Sequence, residues 1–565
     1  MDFKVELAKI MVTAIDMTQE EIVDSLEVPK DSSMGDFAFP CFRLAKTLKK
    51  APPVLAEEFS NALNGKIDFV TKIETKGAYL NFYVNPAIFA KSVMTEALEK
   101  GEDFARQTIG EGKNVVVDFS SPNIAKNFHV GHLRSTVIGN ALCNINKFLG
   151  FNSIGINHLG DWGTQFGKLI VAYKLWSDKE TVERDKIEEL NRIYVKFHDE
   201  AEKDESLVEQ GRAWMLKMQE GDEEALTIWR FFYDISMIEF EKIYTRLGIT
   251  FDYNTGESFY EDKMDAAVEE IKQKGLLIES KGAMVVDLED VDLDVCMILR
   301  SDGGTLYHTR DIAAALYRNK TFNFAKALYV TAFDQGRHFA QLFAVLKKMG
   351  HDWSDTMAHV PFGLVSLESG KLSTRRGNVV LMQDLLTEAV AEAKNIIEEK
   401  NPGLENKEQV AEDVGIGALV FNDLYNSRIK DVVFSWDKML NFDGETGPYV
   451  QYTHARACSL LEKGGVTDFS NADFSILTDE ASINVIKILY FYKDKLIDAM
   501  NKNEPYIVSR HLMDLAQGFN RFYHDNPVIV DDITVKTARL ALAMVVKTVL
   551  ARGLKLIGVN APERM

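Results

Sequence analysis

Apolar runs alternate with helical periodicity through the middle of the chain. Residues 115–119, Val-Val-Val-Asp-Phe, are mostly apolar and predict a buried strand, and apolar residues at helical spacing from Leu133 to Phe148 predict the helix that follows it. Three more apolar runs have the length of short strands, at residues 153–156, 296–299 and 327–331. Because each of them is followed by helical periodicity, the pattern predicts an α/β fold with a doubly wound parallel sheet.

The two ends of the chain have different patterns. Near the N-terminus an amphipathic start is followed by the strand-like segment 77–84, which predicts a small α+β domain. From about Lys407 onward the strands disappear and helical periodicity takes over, as in residues 540–550, so we predict an all-α bundle. The expected domains are residues 1–105, residues 106–400 with a helical insertion at about 170–250, and residues 401–565.

Composition narrows the class of protein. The chain has 565 residues, of which 46% are hydrophobic and 27% charged, as is typical of a large globular enzyme. No apolar run approaches the roughly 18 residues of a membrane span, and the N-terminus lacks a signal-peptide pattern, so we expect a cytoplasmic protein. The net charge of −20 argues more strongly against non-specific nucleic-acid binding than against specific nucleic-acid binding. The cysteines are too far apart for a paired metal motif, and we expect no tightly bound metal.

Two histidines lie at the predicted strand-to-helix turn. His129 and His132 flank Gly131, just before the predicted helix. The free N–H groups and the positive dipole end of a helix favour anions, and imidazole N–H groups can donate to the phosphates of a nucleotide. Gly131 has no side chain, so an adenine ring could approach the backbone closely. Either histidine alone could simply cap or pack, but the pair with Gly131 and the upstream Lys126 favours a nucleotide site.

The residues around this turn resemble the first signature of class I aminoacyl-tRNA synthetases in its arginyl form. The match covers residues 121–126, Ser-Pro-Asn-Ile-Ala-Lys, and residues 129–132, His-Val-Gly-His. Residues 157–167, 442–449 and 562–565 are similar to further segments of the same family. The resemblance covers nearly the whole chain and implies a Rossmann-like catalytic domain. It also implies a reaction in which ATP activates arginine to arginyl-adenylate with release of pyrophosphate, and arginine then passes to the 3′-terminal ribose of tRNA(Arg).

The resemblance also implies which residues bind ATP. The second family signature would be residues 371–377, Lys-Leu-Ser-Thr-Arg-Arg-Gly, where leucine and threonine replace the usual methionine and second lysine. Lys126 would supply the missing positive charge, and ATP would arrive as its Mg²⁺ complex. By itself this segment would be an ordinary exposed turn. The residues implied for ATP binding and catalysis are Lys126, His129, Gly131, His132, Lys371, Ser373, Arg375 and Arg376.

A selective pocket for arginine needs carboxylates aimed at the guanidinium fork. Glu257 follows the charged insertion, and Asp311 ends the segment 307–311, which we expect to cross from a strand into a helix. The resemblance implies that both carboxylates meet the substrate. The other residues implied for this pocket are Ser121, Asn123, His132, Tyr307 and Gln335. By itself Asp311 could equally be the N-cap of a helix that begins near Ile312.

Aromatic and amide side chains could contact tRNA in two places. The N-terminal domain of arginyl enzymes touches the D-loop at the tRNA elbow, where Tyr79 would stack on a base and Asn81 would bind the base edge. Packing in a core is an equally good interpretation of Tyr79. The helical bundle of the family reads the anticodon, and Tyr449, Tyr523 and Met565 match the positions used there. Tyrosines at helical spacing are usually core residues, so these three assignments stay open.

Two other functions need consideration. Other class I synthetases and adenylyltransferases share the double-histidine turn, but small nucleotidyltransferases lack a helical C-terminal domain and cysteinyl enzymes would need zinc-ligand spacing. A noncatalytic RNA-binding relative would be expected to lose catalytic residues, whereas His129, His132 and Lys371 are all present. We therefore expect a monomeric enzyme whose partners are tRNA(Arg), arginine and ATP, with no membrane partner.

Overall fold

A computed structural model of the chain describes residues 1–367 and 380–565. The chain divides into two units by the contacts within it. The first unit consists of residues 1–105, 453–492 and 514–550, and the second of residues 106–452, 493–513 and 551–565. The sheet-containing part of each unit is built from consecutive residues.

Residues 1–105, all of them described, combine a three-stranded antiparallel sheet with helices. Their elements are α1 (Phe3–Met11), α2 (Gln19–Ser25), β1 (Phe37–Pro40), α3 (Phe42–Leu48), α4 (Pro52–Leu63), β2 (Val70–Lys76), β3 (Tyr79–Val84) and α5 (Pro86–Lys100). The strand order is β1-β3-β2, with Phe82 of the central strand opposite Phe37 and Ile73. Helix α2 starts at a capping box in which Thr18 and Glu21 bind each other's backbone N–H. The predicted small α+β domain is confirmed.

The second unit contains most of the remaining elements. In chain order these are β4 (Asn114–Asp118), α6 (Gly131–Phe148), β5 (Asn152–Asn157), α7 (Thr164–Trp176), α8 (Lys179–Ala201), α9 (Ser206–Gln219), α10 (Glu223–Leu247), β6 (Tyr253–Asn254), α11 (Met264–Gln273), β7 (Leu277–Ser280), β8 (Ala283–Val286), β9 (Cys296–Leu299), α12 (Tyr307–Phe322), β10 (Lys326–Tyr329), α13 (Gly336–Lys348), β11 (Met357–His359), β12 (Val365–Leu367), α14 (Met382–Lys400), α15 (Lys407–Tyr425), β13 (Val432–Phe434) and α16 (Trp436–Met439).

Residues 447–556, which are all described, are helical apart from their connections. They form α17 (Gly447–Gly464), α18 (Glu480–Lys502), α19 (Tyr506–Asp525) and α20 (Ile533–Leu556). This confirms the predicted all-α C-terminal part. Within the described residues, no helix combines the length and the apolar character that a membrane span requires.

Within the described residues, the main sheet has five parallel strands in the order β11-β10-β4-β5-β6. Numbered by their order in the chain and listed from β6 to β11, the parallel strands run 3-2-1-4-5, the order typical of a Rossmann-like sheet. The valines of β4 are buried, as expected for a strand covered by helices on both faces. Ligands of such sheets bind beyond the carboxyl ends of the strands where the order reverses, here between β4 and β10.

Two expectations about strands are wrong. Residues 296–299 form a strand, but β9 pairs antiparallel with β8 in a separate β7-β8-β9 sheet. Its burial alternates, since Cys296 and Ile298 are buried while Met297 is exposed, so only one face is covered. Strands also continue beyond Lys407, because β13 pairs in parallel with β12. A run of three residues with a distant partner leaves too little periodicity to be recognised in the sequence.

A buried ion pair anchors the first turns of α6. Arg134 Nε lies 2.8 Å from the carboxylate of Asp423 on α15, and both side chains are 0% exposed. Arg134 Nη1 also donates to the backbone carbonyls of Gly363 at 2.9 Å and Lys430 at 2.7 Å. These contacts therefore attach the start of α6, which directly follows the histidine turn, to α15 and to the backbone of Gly363 and Lys430.

Candidate active site

The chain leaves β4 in an unusual backbone conformation. Ser120, Ser121 and Ala125 have positive φ angles of 71°, 50° and 58°, a region that residues with side chains rarely adopt. The Ser120 N–H donates to Ser135 Oγ at 2.9 Å, and the Ala125 N–H donates to Ser236 Oγ at 2.8 Å. Such conformations cost of order 1–3 kcal/mol each and persist where the surroundings hold them, often at functional sites.

His129 and His132 lie side by side at the start of α6, with ring centroids 3.9 Å apart. The Nδ1 atom of His129 accepts the Gly131 N–H at 3.1 Å, and the Nδ1 atom of His132 accepts the His129 N–H at 3.2 Å. A ring nitrogen that accepts a hydrogen bond carries no proton, so both rings are neutral with the proton on Nε2. Each imidazole can therefore offer one Nε2–H donor to an anion.

Burial and neighbouring charge keep both imidazoles neutral. Burial and the adjacent His129 ring lower the pKa of His132 to about 3. Burial and the positive charge of Lys126 also lower the pKa of His129. Lys126 is exposed and close enough to His129 to affect the pKa of that ring. The turn thus combines neutral hydrogen-bond donors with the nearby cation Lys126, an arrangement that favours a phosphate group.

Two glycines allow the close packing of this turn. A Cβ atom on Gly131 would lie 2.9 Å from the ring of His129, and one on Gly160 would overlap Asn123 Oδ1. The Gly160 N–H also donates to the Pro122 carbonyl at 3.1 Å, which ties the two loops together. The absence of a side chain at Gly131 therefore leaves room for the His129 ring.

A network of charged side chains lies beyond the ends of β4 and β5. Arg318 on α12 is buried and lies 2.8 Å from Asp118 at the end of β4. Its Nη2 atom lies 3.3 Å from His158 Nδ1, and His158 Nε2 lies 3.9 Å from Asp311. Ser121 Oγ donates to the other oxygen of Asp118 at 3.0 Å. The network therefore brings the predicted pocket residues Ser121 and Asp311 into one region.

Asp311 projects from the second turn of α12, and 26% of its side chain is exposed. Its Oδ2 atom lies 2.6 Å from His338 Nε2. Burial raises the pKa of Asp311, but the His338 hydrogen bond and nearby positive groups outweigh burial, so the pKa lies below its usual value. Because α12 already begins at Tyr307, the expected strand-to-helix crossing and the alternative N-cap role of Asp311 are both wrong.

Glu257 is the first residue of a 3₁₀ helix, Glu257–Lys263, and its carboxylate lies close to the guanidinium of Arg310. Its Oε1 atom is 3.2 Å from Arg310 Nη1, and Arg310 Nη2 donates to Glu261 at 2.7 Å. Burial raises the pKa of Glu257 to about 7; Arg310 opposes the rise, while Asp311 and Asp161 add to it. Glu257 and Asp311 are therefore near enough to repel each other, and a cation between them would relieve this repulsion.

The remaining residues of the predicted arginine pocket are exposed. Tyr307, the first residue of α12, is 69% exposed, and Gln335 and Asn123 are also exposed. Helix α12 leads into the start of β10, so its first residue, Tyr307, lies toward the opposite, carboxyl end of the strand. Gln335 follows that carboxyl end directly. Because β10 is parallel to β4, both residues lie at the same edge of the sheet as His129. Lys371, Ser373, Arg375 and Arg376 of the second signature lie outside the described residues.

The residues predicted to contact tRNA differ in exposure. Tyr79 is partly exposed at the start of β3, whereas Asn81 is 3% exposed, so a base could reach Asn81 only if its neighbours moved. Tyr523 on α19 is 42% exposed, with the Arg456 guanidinium 5.5 Å from its ring. Tyr449 is half-buried near the start of α17.

Met565 ends the chain in a defined position. Its backbone oxygen accepts a hydrogen bond from Asn401 Nδ2 at 3.2 Å. Its side chain is partly buried against an apolar cluster of α14 and α15 that includes Ala393 and Val414. The C-terminus is thus attached to these two helices, and a contact with RNA would have to use the part that stays exposed.

Sequence reasoning missed several charged residues of the site. Nothing in the sequence pattern identified Arg318, His338 or Arg310 as members of the site. Their partners are 200, 27 and 49 positions away in the chain, so spacing carried no signal. One signal was available, because a carboxylate at the end of a buried strand, Asp118, requires a cation nearby. Among residues 1–367 and 380–565, no group of three or more His, Cys, Asp or Glu side chains could hold a metal ion.

Comparison with known families agrees with this geometry. The model described as "tRNA synthetases class I (R), catalytic domain" matches residues 93–436. The "DALR anticodon binding domain" matches residues 450–565, and the "Arginyl tRNA synthetase N terminal domain" matches residues 2–84. The sheet, the histidine turn and the catalytic-domain match together define a class I aminoacyl-tRNA synthetase.

Individual relatives match along the whole chain. The arginine–tRNA ligases of Alkaliphilus metalliredigens and Halothermothrix orenii are 54% and 51% identical over 565 residues, covering 100% of both chains. The chain belongs to the arginyl-tRNA synthetase family. The solved arginyl-tRNA synthetase of Thermus thermophilus is 24% identical, covers 100% of this chain and 99% of its own, and shares the fold with a TM-score of 0.84.

Proposed function

We propose that the chain is an arginine–tRNA ligase. It activates arginine with ATP to arginyl-adenylate and pyrophosphate, and then transfers arginine to the 3′-terminal ribose of tRNA(Arg). One observation carries the proposal. The neutral donors His129 and His132 follow β4, where the strand order of the parallel sheet reverses, and the carboxylates Glu257 and Asp311 lie at the same edge of that sheet.

The first chemical step needs positioning and positive charge rather than a protein nucleophile. The arginine carboxylate attacks the α-phosphate of ATP in line, and pyrophosphate leaves. His129 and His132 donate through Nε2–H to the phosphates, and Lys126 and Lys371 add positive charge as negative charge builds up around the five-coordinate phosphorus. Mg²⁺ arrives bound to ATP and offsets charge there. Gly131, Ser373, Arg375 and Arg376 complete the ATP site in this proposal.

The amino acid is selected through its side chain. Asp311 and Glu257 clasp the two edges of the guanidinium. Ser121, Asn123, His132, Tyr307 and Gln335 hold the amino-acid end and the stem. A lysine or a shorter analogue would leave buried polar groups unpaired, and such mismatches can give roughly 10⁴-fold discrimination. Separate editing is then unnecessary.

The tRNA would be held at both ends of the chain. Tyr79 and Asn81, in an elbow-binding domain of residues 1–105, contact the D-loop. Tyr449, Tyr523 and Met565, in an anticodon-binding domain of residues 401–565, contact the anticodon, and each stacked base contributes about 1–3 kcal/mol. The exposed ring of Tyr523 beside Arg456 supports this assignment best. We further propose that the enzyme is a cytoplasmic monomer whose catalytic domain spans residues 106–400 with a helical insertion at about 170–250.

One measurement tests the proposed function. ATP–pyrophosphate exchange is followed with each amino acid in turn, with and without tRNA. We expect exchange with arginine only, and only when tRNA is present. Exchange with another amino acid would point to a different synthetase. A lack of exchange with every amino acid, while tRNA still binds, would favour the noncatalytic RNA-binding alternative.

Loss of either a neutral donor or the nearby cation should slow adenylate formation. We expect His132→Ala and Lys126→Ala each to lower the single-turnover rate of arginyl-adenylate formation about a hundredfold, because one such group is worth about 3 kcal/mol in the transition state. His524→Ala, at an exposed position of α19, is the matched control and should leave the rate unchanged. Wild-type rates in both site variants would remove these residues from the ATP site.

A further inference from the structure

Arg310 links two carboxylates beside the proposed arginine pocket. Its Nη1 atom lies 3.2 Å from Glu257 Oε1, while Nε and Nη2 lie 3.1 and 2.7 Å from Glu261 Oε1. All three side chains are largely buried. Because one edge of the planar guanidinium is held by Glu261, the remaining nitrogen has a fixed direction and faces Glu257.

We propose that Arg310 is a positioning residue for substrate arginine, because it holds the Glu257 carboxylate in place and sets a positive charge beside it. The inference rests on the proposed role of Glu257 in binding the substrate guanidinium. Arg310 acts through Glu257 and does not itself touch the substrate. Glu261 in turn fixes Arg310, so this cation stays with the pocket instead of turning to solvent.

The groups around Glu257 explain why it needs a cation of its own. Burial raises the pKa of Glu257, and Asp311 from α12 and Asp161 from the loop after β5 raise it further. Arg310 and the backbone N–H of Trp162 lower it. The pKa is about 7, so Glu257 is only about half ionised near neutrality even with Arg310 in place.

Among the residues that the structure describes, the other charged groups of the pocket do not take over this task. His338 on α13 lies 2.6 Å from Asp311, and His158 after β5 lies 3.9 Å from the same carboxylate, so both histidines act on Asp311. Glu261 is negative and is neutralised by the guanidinium. Without the guanidinium, the negative neighbours of Glu257 would be uncompensated, and its carboxyl group would stay protonated up to a higher pH.

The dependence of kcat/KM for arginine on pH tests this role. In the wild-type enzyme kcat/KM should fall as the pH decreases through about 7, since protonated Glu257 has no charge to attract a guanidinium. Arg310→Gln should move this limb to higher pH by about one unit and lower kcat/KM for arginine at pH 7 by up to about tenfold. The KM for ATP should not change. Arg310→Lys, which keeps the charge, should restore most of the wild-type profile.

Controls separate this inference from the proposed function. Arg212→Gln, at an exposed ion pair of α9, should behave as wild type. An unchanged kcat/KM for arginine in Glu257→Gln would refute the proposed role of Glu257 itself. If Glu257→Gln lowers kcat/KM but Arg310→Gln keeps the wild-type pH midpoint, only the role of Arg310 is overturned. Should Arg310→Gln not fold, Arg310→Met, which keeps a long side chain without the charge, replaces it and should move the same limb to higher pH; no shift would overturn the inference.

Discussion

Asp311→Asn is expected to lower kcat/KM for arginine roughly 30- to 1,000-fold, because removal of one member of a buried charge pair costs about 2–4 kcal/mol. The amide keeps the size of the carboxylate and can still accept the His338 hydrogen bond. The loss should therefore reflect the missing charge opposite the substrate guanidinium. Aminoacylation kinetics with varied arginine measure the effect, and the KM for ATP should stay near its wild-type value.

A matched carboxylate supplies the control for this prediction. Asp262 lies in the same 3₁₀ turn as Glu257, is 80% exposed and pairs with Lys263 at the surface. Asp262→Asn should leave arginine kinetics unchanged. If Asp311→Asn behaves in the same way, Asp311 does not belong to the pocket. A lower melting temperature in Asp311→Asn would instead indicate that its hydrogen bond mainly stabilises the fold.

Asp423→Ala is expected to destabilise the second unit by about 3–5 kcal/mol, because it leaves the fully buried guanidinium of Arg134 without a counter-charge. Burial raises the pKa of Asp423 to about 6 and Arg134 opposes the rise, so the carboxylate is ionised at neutral pH. The midpoint of urea denaturation, followed by tryptophan fluorescence, measures the change. Asp423→Asn, which keeps the shape but loses the charge, should lie between the wild type and Asp423→Ala.

A surface ion pair provides the comparison for this stability test. Glu209 and Arg212 on α9 are both well exposed, so Glu209→Ala should change the free energy of unfolding by less than about 1 kcal/mol. Equal denaturation midpoints for Glu209→Ala and Asp423→Ala would contradict the importance of the buried pair. Because Arg134 lies in the first turns of α6, Asp423→Ala should also lower the rate of adenylate formation.

The sequence was most informative where chemistry and periodicity coincide. The three valines at 115–117 predicted β4, and the helical spacing of apolar residues from Leu133 predicted α6. These two elements flank the histidine turn. The change in periodicity along the chain also predicted the kind of structure in the three parts, which are α+β, α/β and all-α. Local patterns of this kind indicate whether a segment is a helix or a strand and which of its faces is buried.

Other features depend on partners that are distant in the chain. β9 has the composition of a sheet strand, but its pairing with β8 rather than with the parallel sheet depends on tertiary contacts that its own sequence does not reveal. The pairs Arg134–Asp423 and Arg318–Asp118 join residues about 200 or more positions apart, and a lone arginine in a helix carries no sign of its partner. The positive φ angles after β4 were equally unpredictable, because serine and alanine are not the residues that favour that conformation.

The hydrogen bonds that hold both Nδ1 atoms in the histidine turn have a consequence under acid stress. The His132 ring keeps its donor without gaining charge until the medium is strongly acidic, since its pKa is about 3, and the pKa of His129 is also lowered. Glu257, with a pKa of about 7, is neutralised far earlier. In a mildly acidified medium the enzyme would therefore bind arginine less well while it still bound ATP, and the supply of arginyl-tRNA would be limited by capture of the amino acid.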